Sequence, residues 1–186
     1  SKLQVDGGIQ MADDDVDAVA AKAGTMRYRT GVEYVEVTSI ELVTNGDFAT
    51  DSDWTKGTGW TISGGKANGA SAGGDITQAI SIPINKTYRV NYTISNYSSG
   101  IFRIILGGYV ASTNRAANGT YTDIMTVSNA SSNSLLYLAG DVSAVTLSID
   151  NVSVMEVTSE NASYADMCMQ TGASTYEWVN IVRNTY

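Results

Sequence analysis

Along most of this chain apolar and polar residues alternate in short runs, the period of a β-strand with one buried face. In the first part, residues 25–30 and 32–37 read as strands, and residues 3–11 read as a short hairpin around Gly7-Gly8. Between them Asp13-Asp14-Asp15 precedes a stretch, residues 16–23, that ends at Gly24. Acidic residues at its start and glycine at its end suit a helix of one or two turns, and a plain loop fits equally well. Further strands are predicted at 59–62, 75–82, 87–95, 101–106, 121–128, 135–139 and 145–157, with Gly and Asn turns between them, Gly140-Asp141 among the last. The run Ile101-Phe102-Arg103-Ile104-Ile105-Leu106 is apolar enough to be buried on both sides, which predicts a central strand. At the end, residues 164–170 and 175–182 form two alternating runs joined by a turn, a hairpin. Nothing reads as a long helix. Short strands at regular spacing predict an all-β fold, a sandwich or barrel.

One duplication divides the chain. Glu36-Val37-Thr38-Ser39 recurs as Glu156-Val157-Thr158-Ser159, and the two copies bracket a segment that reads as a self-contained β domain. A sandwich whose first and last strands lie side by side has its ends close together, so it can be spliced into a surface turn of another unit. The expected organisation is a host module in residues 1–38 and 159–186, interrupted by an inserted domain in residues 39–158. The host is thin and buries little core alone, which predicts oligomerisation.

Composition narrows the function classes. The chain has 186 residues, 43% hydrophobic and 16% charged, with a formal net charge of −8. Without a Lys/Arg cluster it lacks the positive surface that nucleic acid requires, and an anionic membrane is disfavoured for the same reason. No apolar run is long enough to span a membrane, and the N-terminal residues lack the apolar core of a signal peptide. The single cysteine, Cys168, excludes an intrachain disulfide and fits synthesis in a reducing compartment. Asn-x-Ser/Thr triplets at Asn85, Asn91, Asn96, Asn118, Asn129, Asn151 and Asn161 read as chance products of an Asn/Ser/Thr-rich chain.

Two resemblances add to this reading. Gly24-Thr25-Met26-Arg27-Tyr28-Arg29, Asp166-Met167-Cys168-Met169-Gln170-Thr171-Gly172 and Tyr176-Glu177-Trp178-Val179-Asn180-Ile181 resemble a short domain of tail fibres and related virion proteins of tailed bacteriophages, particularly marine ones. There the pieces run together across a short polar turn, and here the inserted domain occupies that turn. The resemblance implies an extended, trimeric assembly on the particle. The insert is similar to galactose-binding-like jelly rolls of the carbohydrate-binding-module type, through Leu42-Val43-Thr44-Asn45-Gly46-Asp47-Phe48, Gly59-Trp60-Thr61-Ile62-Ser63-Gly64-Gly65-Lys66-Ala67 and Ile149-Asp150-Asn151-Val152-Ser153-Val154. The fold class expected is therefore a jelly-roll β-sandwich inserted in a small hairpin-rich oligomerising module. The fold is implied more strongly than any ligand.

The resemblance also implies sites. In related jelly rolls the opening turn and the last strand hold a structural calcium; the matching positions are Asn45, Asp47 and Asp150, although Ala49 stands where the family has Glu. The alternative at these positions is a hydrogen-bonded Asx turn that pins the first strand beside the last. Sugar binding by such modules uses exposed aromatic faces framed by amide and charged donors. Candidates are Trp54, Tyr97, Tyr109 and Tyr121, with Asn114 and Arg115 as hydrogen-bonding partners. Trp54 reads either as a binding residue or as a cap on one end of the sandwich, Trp60 reads as core, and Tyr88, Tyr92 and Tyr137 read as packing residues. Cys168 reads as a buried thiol. Met167, Met169, Tyr176, Trp178, Val179 and Ile181 are more apolar than one hairpin can hide and suit a subunit interface.

Enzyme signatures are sparse. The chain has no histidine for a triad or metal centre, and neither a Gly-x-Ser-x-Gly motif nor a phosphate loop. Paired glycosidase carboxylates are left open by spacing alone, yet the acidic residues cluster in loops, where solvated faces are the usual explanation. The expectation is a non-enzymatic virion protein, assembled in the bacterial host cytoplasm, with itself, other virion proteins and bacterial surface glycan as partners. The alternative is a capsid or tail decoration protein in which the jelly roll is a spacer or an inter-subunit clamp.

Overall fold

The computed structural model describes residues 14–128, 134–140 and 144–186. The predicted hairpin at 3–11, Asp13, Asn129 and Asp141 lie outside the described residues. The chain is all-β, with strands β1 (Met26–Glu36), β2 (Thr55–Lys56), β3 (Trp60–Ile62), β4 (Ala67–Ala72), β5 (Ile76–Ala79), β6 (Lys86–Ser99), β7 (Phe102–Leu106), β8 (Val110–Ala111), β9 (Gly119–Val127), β10 (Leu135–Gly140), β11 (Val145–Gln170) and β12 (Tyr176–Thr185). It divides into two compact units, Glu36–Thr158 and the combination of residues up to Val35 with Ser159–Tyr186.

The larger unit is a β-sandwich of the jelly-roll kind. One sheet runs β3-β4-β11-β6-β9 and the other β2-β5-β10-β7-β8, and the pairings within both are antiparallel. Period-two alternation turns every second residue inward: Tyr88, Val90, Tyr92 and Ile94 from β6 meet Phe102, Ile104 and Leu106 from β7 and Leu136 and Leu138 from β10. Burial pushes the Tyr88 phenol up to about 12, with Glu156 adding to the rise, so it stays neutral in this core. In β11 the inward set switches from Val145, Leu147 and Ile149 to Val152 and Val154. The switch occurs at a register shift between Asp150 and Ser153, where Asn151 adopts φ +52°. A bulge of this kind re-aims the side chains that follow it.

The structure departs from the sequence expectations at three elements. The run 101–106 is an interior strand, paired with β10 and β8, as expected, but it is fully buried on one face only: Arg103 and Ile105 are half-buried on the other. Its apolar residues are consecutive because Ile105 packs on the outer surface. Residues 16–23 contain a single 3-10 turn, Ala20–Lys22. β4 gave no apolar signal, because Ala67, Gly69 and Ala72 face a core whose bulk comes from a neighbour; a Cβ on Gly69 would stand 3.3 Å from the Trp60 ring.

The two ends of the sandwich lie together. The Val37 amide donates to the Glu156 carbonyl at 3.0 Å, joining the two copies of the duplicated tetrapeptide, and Leu42 donates to Val154 at 3.1 Å. The Glu41 carboxylate reinforces this, accepting from the Val43 and Val154 amides and from the Ser153 hydroxyl. Beyond it the Gly46 carbonyl accepts from the Val152 amide at 2.9 Å.

A β-carbon at Gly46 would stand 2.0 Å from the Val152 carbonyl oxygen. Gly46→Ala is therefore expected to destabilise the sandwich by about 1–3 kcal/mol, as overpacking does. Gly73→Ala, where a Cβ meets nothing within 4 Å, is expected to leave it nearly unchanged. Urea unfolding of both variants, followed by tryptophan fluorescence, checks the contrast.

Candidate functional site

The loop that opens the sandwich is organised by one asparagine. Asn45, at φ +52°, donates through its side-chain nitrogen to the Thr50 and Ser52 carbonyls at 2.8 and 3.0 Å and accepts from the Thr50 amide. Its own carbonyl accepts from Phe48 N and from the Trp54 indole at 3.0 Å. Phe48 and Trp54 pack ring to ring at 5.1 Å, and Trp54 is 7% exposed, so it caps the sandwich and offers no face to a sugar. Of the two readings of Trp54, the structure shows the cap. Gln78, missed in the sequence because it reads as the polar side of a strand, points inward. Its amide bonds Thr44 N and O and the Asp53 carbonyl, tying the loop to β5.

These residues do not fit a calcium ion. The Asn45 and Gly46 carbonyls and the Asn45 amide are taken by protein donors and acceptors. The Asp47 carboxylate accepts from Ala49 N, and the Asp150 carboxylate from Asn151 N. Among the described residues no group of three or more His, Cys, Asp or Glu side chains is placed to hold a metal. The loop is a hydrogen-bonded turn held by side-chain amides.

The other sugar-binding candidates fall into two places. Arg115 pairs with Phe102 through two backbone hydrogen bonds of 2.8 and 2.9 Å, at the start of β7. Its guanidinium donates to the Tyr92 hydroxyl at 3.2 Å and to Asp123 at 2.8 Å and lies 4.5 Å from the centre of the Tyr121 ring. Burial pushes the Tyr92 phenol up, and it donates to Asp123 at 3.0 Å. Tyr121 spends its hydroxyl on the Ala117 carbonyl, and Tyr97 spends its own on Gly100. Exposed Asn114 adjoins this cluster in sequence, and the neighbouring Asn118 side chain accepts from Tyr97 N. Tyr109 lies elsewhere, at the turn between Leu106 and Val110, 58% exposed. The four residues of β7 that separate the two places correspond to about 13 Å along the strand. The structure thus gathers Tyr97, Arg115 and Tyr121 into a bonded cluster and leaves Tyr109 apart with its ring in solvent.

The smaller unit is a sheet in which β11, from Ser159 onward, lies between β1 and β12. Its pairing from Gln170↔Tyr176 back to Ala162↔Thr185 is the predicted hairpin, with a register shift between Ala165 and Asp166. Alternation sorts its side chains onto two faces. On the first, Asp166, 1% exposed, receives Arg27 Nε at 3.0 Å, Arg29 Nε at 2.6 Å and the Asn180 amide at 3.0 Å. The Arg29 guanidinium lies 3.7 Å from the Tyr164 ring centre, and Tyr164 bonds Glu33. The chain before β1 folds over this face: the Asp14 carbonyl accepts from Arg27, the Val16 carbonyl from the Trp178 indole, and Val19 O lies 3.7 Å from the buried Cys168 sulfur. Trp178 lies 4.4 Å from the Arg27 guanidinium.

The second face carries Met26, Tyr28, Val32 and Tyr34 from β1, all exposed, opposite in alternation to Arg27, Arg29 and Glu33. Met167 pairs with Val179, Met169 with Glu177 and Ala165 with Val182, which puts these residues on the same side. Of the interface candidates, Met167, Met169 and Val179 lie on this exposed face and Ile181 is exposed at the register shift. Tyr176 and Trp178 share register with Gln170 and Cys168 and belong to the covered face, so their assignment to an outward surface is corrected.

Desolvation pushes the Asp166 carboxyl up, but the hydrogen bonds from Asn180, Arg29 and Arg27 outweigh it and hold the group below the ordinary carboxylate range. A depressed carboxyl contributes stability in full above its unfolded value, about 3.9, and loses it as pH falls through the folded value. The small unit should therefore loosen only below about pH 4. Asp166→Asn should lose that acid dependence and destabilise the unit by about 3 kcal/mol at neutral pH, because the guanidiniums lose their counter-charge. Hydrogen exchange of peptides from residues 159–186 at two pH values measures both effects. In the sandwich, calcium or a chelator should leave the melting temperature unchanged. Asn45→Ala should lower stability by about 1–2 kcal/mol through its lost hydrogen bonds, readable in the same thermal scan. Compared with known proteins, the sequence matches no family model and no curated protein.

Proposed function

We propose that this protein is a non-enzymatic component of a tailed-bacteriophage particle, a tail-fibre or fibre-tip element whose sandwich meets glycan on the bacterial surface while the small unit builds the assembly. The observation that carries the reading is the closure of the sandwich at the Val37–Glu156 hydrogen bond, 3.0 Å long. A domain that begins and ends at one place, with a core of its own, is suited to being carried as a display module. Tyr109 supplies the contact chemistry: an exposed ring on a Gly-Gly turn matches the apolar face of a pyranose. A lone aromatic contact is weak, and repetition of the chain in an assembly raises its effective concentration at a surface. The non-enzymatic part of the reading is supported by the lack of histidine and by the structural use of the carboxylates with described partners. Asp166 and Asp123 hold arginines, and Glu41 holds backbone amides.

A second reading makes the sandwich a spacer or clamp in a decoration protein. It is favoured by the internal commitment of the Trp54, Tyr97 and Tyr121 polar atoms, which leaves one candidate ring turned outward. Binding to glycan arrays and to host envelope separates the two. The wild-type chain is expected to bind, and Tyr109→Ala to weaken binding at least about tenfold with an unchanged melting temperature, the loss of about 1.4 kcal/mol expected of one aromatic contact. Absence of wild-type binding would sink the glycan reading in favour of the clamp.

A further inference from the structure

We infer that the exposed face of the small sheet docks against the same face of a second copy of this chain. The inference deepens the assembly part of the function proposed above and rests on it. Six residues define the face: Tyr28 and Val32 on β1, Met167 and Met169 on β11, and Val179 and Val182 on β12. Val32 and Val182 are 55% and 59% exposed.

Charge selects the occupant. The chain as a whole carries a formal −8, which repels a second copy almost anywhere it might touch. The two arginines of β1, together with Asp166, Glu33 and Arg183, all belong to the opposite face of this sheet, where Arg27 and Arg29 meet Asp166 and Arg183 lies 3.7 Å from Glu33. What remains on the exposed face is methionine, valine, tyrosine, alanine, serine, threonine and asparagine, with its described carboxylates at the margins, Glu177 at the turn end and Glu36 at the end of β1. A partner of complementary charge finds little here to recognise, whereas an identical face can meet its apolar centre with the two marginal carboxylates left in solvent. Because the two faces are the same patch, the contact is isologous. Methionine side chains suit it, filling the gaps between two pleated surfaces stacked about 10 Å apart.

Area sets the strength. Three strands at a spacing of about 4.8 Å and a length of about ten residues give a footprint of about 450 Å². That is near the largest apolar patch of an ordinary monomer, about 300–600 Å², and about half of what one partner contributes to a standard interface, about 800 Å². The pairing is therefore reversible and concentration-dependent rather than obligate.

Sedimentation velocity of the full chain from about 1 to about 100 μM, the range of an association near −8 kcal/mol, tests this. The wild-type mass should rise above that of the monomer. Val32→Glu and Val182→Glu, at exposed positions on the two outer strands, should shift the association at least about tenfold to higher concentration by burying a charge. Ile124→Glu, an exposed position on the sandwich, should not. In parallel, peroxide oxidation of Met169 in the unaltered protein should slow as concentration rises, a readout independent of how the variants fold. A wild-type chain that stays monomeric, with Met169 oxidised at one rate throughout, overturns this inference and the assembly reading together. Self-association that both glutamate variants retain, with no protection of Met169, overturns this face alone and leaves assembly to another surface.

Discussion

A three-stranded sheet has two faces, and the described residues supply a cover for one. In the small unit, alternation along β1, β11 and β12 sends the charges to one side and the apolar residues to the other. The charged side can be closed from within because Asp166 sits between Arg27 and Arg29, and because residues 14–22 lay backbone carbonyls over Arg27 and Trp178. A buried carboxylate with two guanidiniums and an amide is satisfied in every direction that matters, so this side needs nothing further. The apolar side has no such internal solution. Its exposure follows from the ionic closure opposite, since a strand position that faces the arginines fixes the parity of all its neighbours.

In the sandwich the equivalent problem is the loop that precedes the first full strand. Side-chain amides and one carboxylate solve it. Asn45 bonds the carbonyls of Thr50 and Ser52, Gln78 bonds Thr44 and Asp53, and Glu41 bonds Val43, Val154 and Ser153. The Asn45 carbonyl accepts from Phe48 N and from the Trp54 indole. The same bond explains why a tryptophan set among Asp51, Ser52, Asp53 and Thr55 is buried: its one polar atom has an acceptor inside, and its ring lies on Phe48.

Much of the fold was legible because it is written in local alternation. The terminal hairpin and the inward residues of β6 follow from period two, the two strands expected at 25–30 and 32–37 run together through Gly31 as β1, and the duplicated tetrapeptide anticipated where the sandwich would close. What stayed hidden depends on distant partners. β4 is unreadable since its core face is small and Trp60 fills it from the next strand. Asp166 looks like an ordinary polar position until Arg27, 139 residues away, is seen to reach it. Trp178 and Val179 are adjacent apolar residues, so alternation alone cannot say which faces outward; their partners Cys168 and Met167 decide. Among the site candidates, residue type alone could not say which ring is exposed; that depends on where its polar atom finds a partner. Tyr109 is the exposed one because a tight turn holds it at the surface, not because its neighbours in sequence are more polar.

The two units also divide the physical tasks on the proposed reading. The sandwich spends its side-chain bonds on rigidity, which leaves it a single outward ring and hence a contact that discriminates poorly and binds weakly by itself. The small sheet spends most of its charges on internal closure, which leaves a surface with an uncharged centre on a chain that is otherwise strongly acidic. Net charge of one sign keeps copies apart except where an uncharged patch lets them meet. A weak contact and a weak self-association are each of little use in isolation. Coupled through one chain they multiply, because every copy added at the neutral face brings another ring to the same surface, and the gain in apparent affinity depends on copy number rather than on any improvement of the single site.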